Sequence, residues 1–257
     1  FEGGSGGLGA AINDMLNAFS DVASAPTDLT ARTVALTRVS ETASRMRASS
    51  QRLDDLQAST AQELSEKINA INTLSQNIAD VNDQISKAKG TGQAPNDLLD
   101  KRDQLVRELN QYIQTSAVET ADGGTNIYIG GSQSIVLGST ASVVKLTSDD
   151  FGDPLKSKLA IVRGGQNVVL DENTLGGGEV SGLLRFQNTD LVEGRNLLGR
   201  LTMAISTSMN EQHAKGLDLD GNAGGNLFTP ISFANSIAQP SPPAKTNTGT
   251  FASNFTL

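Results

Sequence analysis

The sequence predicts an α+β protein: an elongated, rod-like α-helical bundle with one very long helix, carrying a small inserted antiparallel β domain. Three observations point there. No Gly or Pro interrupts residues 27 to 89, and an apolar seam repeats through most of that stretch. After Thr115 the chain changes to short Val-, Ile- and Thr-rich runs punctuated by Gly pairs. Helical periodicity then returns after Gly176-Gly177-Gly178.

The elements follow in order. Leu8, Ile12, Met15, Leu16, Phe19 and Val22 fall three and four apart, one stripe of an amphipathic helix preceded by the Gly-rich tract Gly3 to Gly9. Pro26 stops that helix, and Thr27 or Asp28 is placed to cap the next. In the long helix, Leu36, Ala43, Leu64, Ile71, Ile78 and Ile85 occupy one seam position, and Val39, Met46, Leu53, Leu74 and Val81 the other. At 1.5 Å per residue such a helix of roughly 60 residues reaches about 90 Å. The seam is weakest at Ser50, Gln57, Thr60 and Lys67, where looser packing or a bend is expected. Gly90, Thr91, Gly92 and Pro95 make a turn, and Asn96 is a good cap for a third helix bearing Leu98, Leu99, Leu105, Val106, Leu109 and Ile113. The short connection should double this helix back on the long one.

Candidate strands lie at Asn126 to Ile129, Ser134 to Leu137, Val143 to Thr147, Lys158 to Val162 and Asn167 to Leu170. Asp122-Gly123-Gly124 and Gly130-Gly131 read as hairpin turns between them. A fourth helix carries Val180, Leu183, Leu184, Leu191, Leu197, Leu198, Leu201, Ile205 and Met209, and the simplest topology sets it beside the first three. The domains therefore read as a discontinuous rod, 1–115 with 179–215, an inserted β domain, 116–178, and a Gly/Pro-rich segment, 216–257, leading into further β structure.

Composition narrows the function. With Lys+Arg 20 against Asp+Glu 28, the net charge is −8, and no dense basic surface is available to grip nucleic acid. There is no Cys and one His, so disulfides, thiol nucleophiles and thiolate metal sites are excluded. No apolar run reaches the roughly 18 residues that cross a bilayer. The chain opens on Phe1, with no basic region and apolar stretch at its start, and reads as an internal fragment of something longer.

Motifs that could carry chemistry have plainer readings. Gly4-Ser5-Gly6-Gly7-Leu8-Gly9 satisfies G-x-G-x-x-G, but no strand precedes it and no βαβ pattern follows, so it reads as a flexible helix leader. Gly3-Gly4-Ser5-Gly6-Gly7 fits G-x-S-x-G, again without the strand that makes a nucleophile elbow. His213 ends the fourth helix, where an imidazole caps or sits at the surface. Asp218, Asp220 and Asn222 have the alternating spacing of a calcium loop, but Gly221 falls at the fourth position and Pro230 replaces the last ligand, so the stretch reads as a turn. The run Asp97, Asp100, Lys101, Arg102, Asp103, Arg107, Glu108 reads as paired surface charges, Asp97 with Lys101 and Asp103 with Arg107. No catalytic, cofactor-binding or metal-binding residue is assigned.

The stretch Asn96-Asp97-Leu98-Leu99-Asp100-Lys101-Arg102-Asp103-Gln104-Leu105-Val106 resembles the N-D-L-L-D-x-R-D-x-L pattern of the bacterial flagellar hook-associated protein 1 family, the hook-filament junction proteins. Gly177-Gly178-Glu179-Val180-Ser181-Gly182-Leu183-Leu184 with Asn196 to Leu201, and Asn210 to Gly221 leading into Leu227-Phe228, are similar to the family in order and spacing. The resemblance covers most of residues 8 to 228 and implies a structural axial component of the bacterial flagellum with no enzyme activity. It implies a ring of subunits between hook and filament, reached by type III export without a cleaved signal peptide, and hence an extracellular, flagellar location. Implied partners are the hook protein, the filament-side junction protein, neighbouring copies in the ring, and an export chaperone acting through a C-terminal segment outside this chain. Terminal segments lining a central channel are likewise implied to lie outside it. The competing readings are a sibling axial protein, either the filament-side junction protein or flagellin, and a secreted coiled-coil effector or adhesin.

Overall fold

The structure is a computed structural model that describes residues 4–92, 95–148, 153 and 155–230. Five α-helices and seven strands appear among these residues: α1 (Leu8–Ser24), α2 (Leu29–Gly90), α3 (Asn96–Tyr112), β1 (Ser116–Glu119), β2 (Thr125–Ile129), β3 (Gln133–Leu137), β4 (Thr140–Ala141), β5 (Val143–Ser148), β6 (Ser157–Arg163), β7 (Gln166–Val169), α4 (Glu179–Arg185) and α5 (Leu191–His213). The α+β class expected from the sequence is observed, with one long helix and two small antiparallel sheets. The chain divides into two compact units, Phe1–Leu56 with Leu191–Leu257, and Gln57–Asp190.

In the first unit, Asp28 caps the proximal end of α2: its Oδ1 accepts from Thr30 N at 2.8 Å. The core joins Met15 of α1, Val39, Ala43 and Met46 of α2, and Phe228 of the segment after α5, with Ile205 and Met209 packed against them. Thr42 is buried and donates to the Ala11 carbonyl, so a hydroxyl occupies the seam without an unmet bond. Three sequence assignments fail here. Leu36 is 57 % exposed, and Ala35, one residue earlier, takes the inward place. Leu16 is exposed too, because the buried line of α1 runs through Ala11, Met15 and Ala18. On α5, Leu197 and Leu201 face outward while Arg195, Leu198, Gly199, Thr202, Ser206 and Asn210 are buried. The common cause is that this interface selects small and polar residues for close approach, so hydrophobicity alone indicates the wrong stripe.

In the second unit, sheet order is β1-β2-β3-β4 and β5-β6-β7, all neighbours antiparallel. The core gathers Leu64, Ile68, Ile71, Leu74 and Ile78 of α2, Leu109 of α3 with Ile113 just beyond it, Ile127, Ile129, Ile135 and Val136 of the first sheet, Val144, Leu159 and Ile161 of the second, and Val180 and Leu184 of α4. All five sequence-expected strands form, as do both hairpin turns. Two strands were not anticipated. β1 is exposed at every residue and β4 is two residues long, so neither carries a burial alternation to read. A third Gly pair, Gly164-Gly165, closes the β6–β7 hairpin with φ of 55° and 79° between the paired Arg163 and Gln166.

Further differences concern helix ends. Asn96 is the first residue of α3 rather than its cap; Pro95 precedes it, and its carbonyl accepts from Leu98 and Leu99. The fourth predicted helix is divided into α4 and α5 by a π-helical segment, Phe186–Asp190, and α4 belongs to the second unit while α5 belongs to the first. The two sheets share one core with α2, α3 and α4 rather than forming a body limited to 116–178, since strands this short need a helical face to bury against. α2 runs unbroken through Ser50, Gln57, Thr60 and Lys67, with Ser50 and Thr60 buried, and the division between units falls inside this polar stretch. The further β structure expected after residue 230 lies outside the described residues.

Candidate functional site

Four asparagines fasten backbone to helix, three in the second unit and one in the first. Asn72 on α2 donates to Val144 O and accepts from Val144 N, both at 2.8 Å. Asn82, about three helical turns further on, donates to Thr125 O and Gly138 O at 2.8 Å and accepts from Thr125 N at 3.0 Å. Asn188, in the π segment, takes Ser157 the same way, at 3.0 and 2.9 Å, and also reaches Glu172 at 2.8 Å. In the first unit Asn210 of α5 clamps Phe228, donating to its carbonyl at 2.8 Å and accepting its N–H at 2.9 Å. A primary amide has one acceptor and a donor pair side by side, the same face that a neighbouring strand residue presents. Each clamp therefore satisfies backbone groups from a helix, three of them at strand residues Val144, Thr125 and Ser157 and the fourth at Phe228 in the segment after α5.

Glycine and ionic contacts reinforce these anchors. The Gly176–Gly178 strap crosses the end of α3, where Gln114 N donates to Gly177 O and Gly177 N donates to Gln114 Oε1, both at 2.9 Å. Gly178 has φ of 100°, and a Cβ there would sit 2.7 Å from Ile113 Cα and Tyr112 O, so only glycine fits. Immediately after it, Glu179 pairs with Lys67 at 2.6 Å, and the Lys67 ammonium lies 5.3 Å from the Tyr112 ring centroid. The hydrogen bond to Glu179 raises the Lys67 pKa above its ordinary value. Arg102, 7 % exposed, donates to Gly123 O at 3.1 Å and to Asp103 at 2.9 Å, and Glu119 lies 3.7 Å away. It ties the β1–β2 turn to α3. Arg195 is equally buried, pairs with Asp54 and donates to Leu53 O at 3.0 Å.

The residues singled out by motif lie apart and serve local structure. Gly4–Gly6 form a short 3-10 turn whose Gly6 carbonyl accepts from Arg45, and Gly7 precedes α1. The leader is thus tied to α2. His213 Nδ1 contacts Gly225 O at 2.6 Å, pinning the loop after α5. Asp218 accepts from the Asp220 and Asn222 backbone N–H at 2.9 and 2.8 Å and from the Asn222 amide at 3.0 Å. Those bonds, led by the Asn222 side chain, hold its pKa below the usual aspartate value. The carboxylate serves the turn closed by the Leu217–Ala223 bridge. In the charge run, Arg102 is the buried member and Asp103 pairs with it; sequence spacing had assigned Asp103 to Arg107. An adjacent guanidinium that reaches inward captures a carboxylate more readily than one directed to solvent. Among the described residues, no three His, Asp or Glu side chains gather as a metal-holding group, and no helix is long and apolar enough to cross a membrane.

The sequence reading missed Asn72, Asn82, Asn188 and Asn210. A signal was present for the first two, which stand beside Ile71 and Val81 inside the apolar stripe of a helix, where asparagine is tolerated only if its amide is satisfied. A cleft of about 490 Å³ lies where β7 ends alongside β6, lined by Lys156, Lys158, Asp171, Glu172, Asn188 and Thr189 over Leu159 and Leu184. The Asn188 clamp occupies the open ladder edge at Ser157, so an added strand cannot pair there.

These features define a class: a helical domain with two small sheets fastened to it by asparagine amides. The model of the flagellar hook-associated protein FlgK helical domain matches residues 1–228, and the chain belongs to that family. It is 40 % identical over 173 residues to flagellar hook-associated protein 1 of Salmonella typhimurium, covering 65 % of this chain and 31 % of that protein. The Escherichia coli protein of that name is 41 % identical over 165 residues, covering 63 % and 30 %. A solved structure described as the flagellar hook junction protein FlgK from Burkholderia pseudomallei aligns with a TM-score of 0.79 at 29 % identity, covering 88 % of this chain and 41 % of that one. The chain spans about a third of the length of these enteric relatives.

Proposed function

We propose that this chain forms the helical part of a structural, non-catalytic axial component of the bacterial flagellum that joins hook to filament as one of a ring of subunits. The observation that carries this reading is the family match across residues 1–228, joined by the likeness to a solved hook junction protein. The amide-riveted core supports it physically. A junction subunit must hold its surfaces in fixed positions under load, and neutral amide clamps fasten backbone segments to helices without a moving part. Its partners are the hook protein, the filament-side junction protein and neighbouring copies of itself, with an export chaperone engaging a segment outside this chain. It acts outside the cell, on the flagellum, after export without a cleaved signal peptide.

The test is electron microscopy of cells deleted for the parent gene, with flagellin assayed in the medium. Bare hooks with flagellin shed to the medium, restored by the intact gene, are expected. Normal filaments would refute the junction role.

A further inference from the structure

An aspartate followed by glycine can close on itself: the glycine nitrogen attacks the aspartate Cγ, water leaves, and a cyclic imide forms. The covalent chain keeps the reacting atoms within reach, so exposure and hydrogen bonding decide which pair reacts. The sequence holds two such pairs, Asp122-Gly123 and Asp220-Gly221. Both stand in the same kind of turn. Gly123 N donates to Thr120 O at 2.9 Å and Gly221 N to Asp218 O at 3.3 Å, and the two glycines have φ of 88° and 83°.

The surroundings of the two carboxylates differ. Asp122 Oδ1 accepts from the Thr120 hydroxyl and from Gly124 N, the Lys89 side chain lies over Gly123, and paired β1 and β2 close the turn. Those bonds, led by the Thr120 hydroxyl, lower the Asp122 pKa and so disfavour the neutral acid, the form from which water leaves most readily. Asp220 is exposed, as is every residue from Leu217 to Ala223. Among the described residues nothing donates to its carboxylate; Asp218 instead accepts from the Asp220 and Asn222 N–H groups. The bond holding Gly221 N is also longer than an ordinary N–H···O bond, which leaves that nitrogen freer to attack.

We propose that Asp220-Gly221 is a site of spontaneous isomerisation to isoaspartate in the folded chain, and that the fold shields Asp122-Gly123 from the same reaction. A bond forms between Gly221 N and Asp220 Cγ while the Cγ hydroxyl departs with the amide proton as water. Water then adds back to the imide. Attack at Cγ breaks the new bond and restores aspartate; attack at the main-chain carbonyl of Asp220 breaks the original peptide bond, so the chain thereafter runs through Cγ. Mass is unchanged and no co-reactant but water takes part. The extra backbone carbon falls inside the turn closed by the Leu217–Ala223 bridge, while the His213–Gly225 and Asn210–Phe228 contacts lie outside it.

Ageing the purified chain in warm neutral buffer, followed by trypsin digestion and electron-transfer mass spectrometry, tests this. Cleavage after Arg107 and after Lys215 places the two pairs in separate peptides. Isoaspartate is expected at Asp220 several-fold faster than at Asp122, and at similar rates at both once the chain is unfolded in guanidinium chloride. No isoaspartate at Asp220, an equal rate at Asp122 in the folded chain, or the same preference surviving in the unfolded chain overturns the proposal.

Discussion

Replacing Asn82 with Ala puts the clamp idea at its greatest risk. The side chain is 2 % exposed and serves three backbone groups: Thr125 N–H, Thr125 C=O and Gly138 C=O. Gly138 is half-buried, so its carbonyl can turn to solvent, but Thr125 is 3 % exposed and keeps two orphaned groups. At about 1–3 kcal/mol for each of the two buried groups left unmet, the loss is about 2–6 kcal/mol, against a total of about 5–15 kcal/mol for an ordinary domain. Asn82→Asp is the sharper variant. It has nearly the same shape and can still accept from Thr125 N–H, yet it turns a carboxylate oxygen toward two carbonyls, so it should lose at least as much. Because the chain holds two compact units, hydrogen exchange at the Thr125 amide, which reports on its own unit, is the most direct assay. Exchange there should accelerate at least about 25-fold in both variants, since each 1.4 kcal/mol is a factor of ten. If Asn82→Asp protects Thr125 as well as asparagine does, the side chain is not acting as a surrogate strand and the reasoning fails.

Other substitutions separate the structural claims. Gly178→Ala should lower Tm by several degrees because its Cβ would press on the Ile113 and Tyr112 backbone, whereas Gly182→Ala, in a helix with nothing within 4 Å, should raise stability by up to about 1 kcal/mol. Val39→Ala, at a fully buried site, should cost about 2 kcal/mol in urea titration, and Leu36→Ala, at an exposed one, under about 0.5 kcal/mol. Asp122 is held below its ordinary pKa by the Thr120 hydroxyl and then the Gly124 N–H. A depressed carboxylate stabilises the fold above its unfolded pKa of about 3.9 and loses that contribution as pH falls through the lower folded value. The β1–β2 turn should accordingly loosen in acid, with carboxyl NMR giving a midpoint below the ordinary one, and Asp122→Asn should remove that pH dependence.

What the sequence disclosed depended on how strongly each element repeats. The long helix and its distal seam from Leu64 to Ile85 were legible because burial there is aliphatic and periodic, and the five strands because each is a short Val-, Ile- or Thr-rich run bounded by turn residues. β1 and β4 were not, being exposed or very short, and the π segment was not, because one wide turn barely alters a 3.6-residue pattern. On α5 the outward Leu197 and Leu201 outweighed the inward Thr202 and Ser206, whose small size matters more than their polarity once two helices approach closely. The amide clamps escaped notice for a different reason. Asparagine is read as a turn or cap residue, and whether one at mid-helix is buried against a strand depends on partners 43 to 72 residues away.

The choice of amides over ions at these rivets sets how the fold meets its medium. At high ionic strength the attraction between exposed charges fades within a few ångströms, so Lys67–Glu179 and Arg38–Glu41 lose most of their value in brine. Asn72, Asn82, Asn188 and Asn210 have no charge to screen, and three of them also have no proton to gain or lose in any partner they hold. Helix and sheet therefore stay fastened alike in fresh water and in salt.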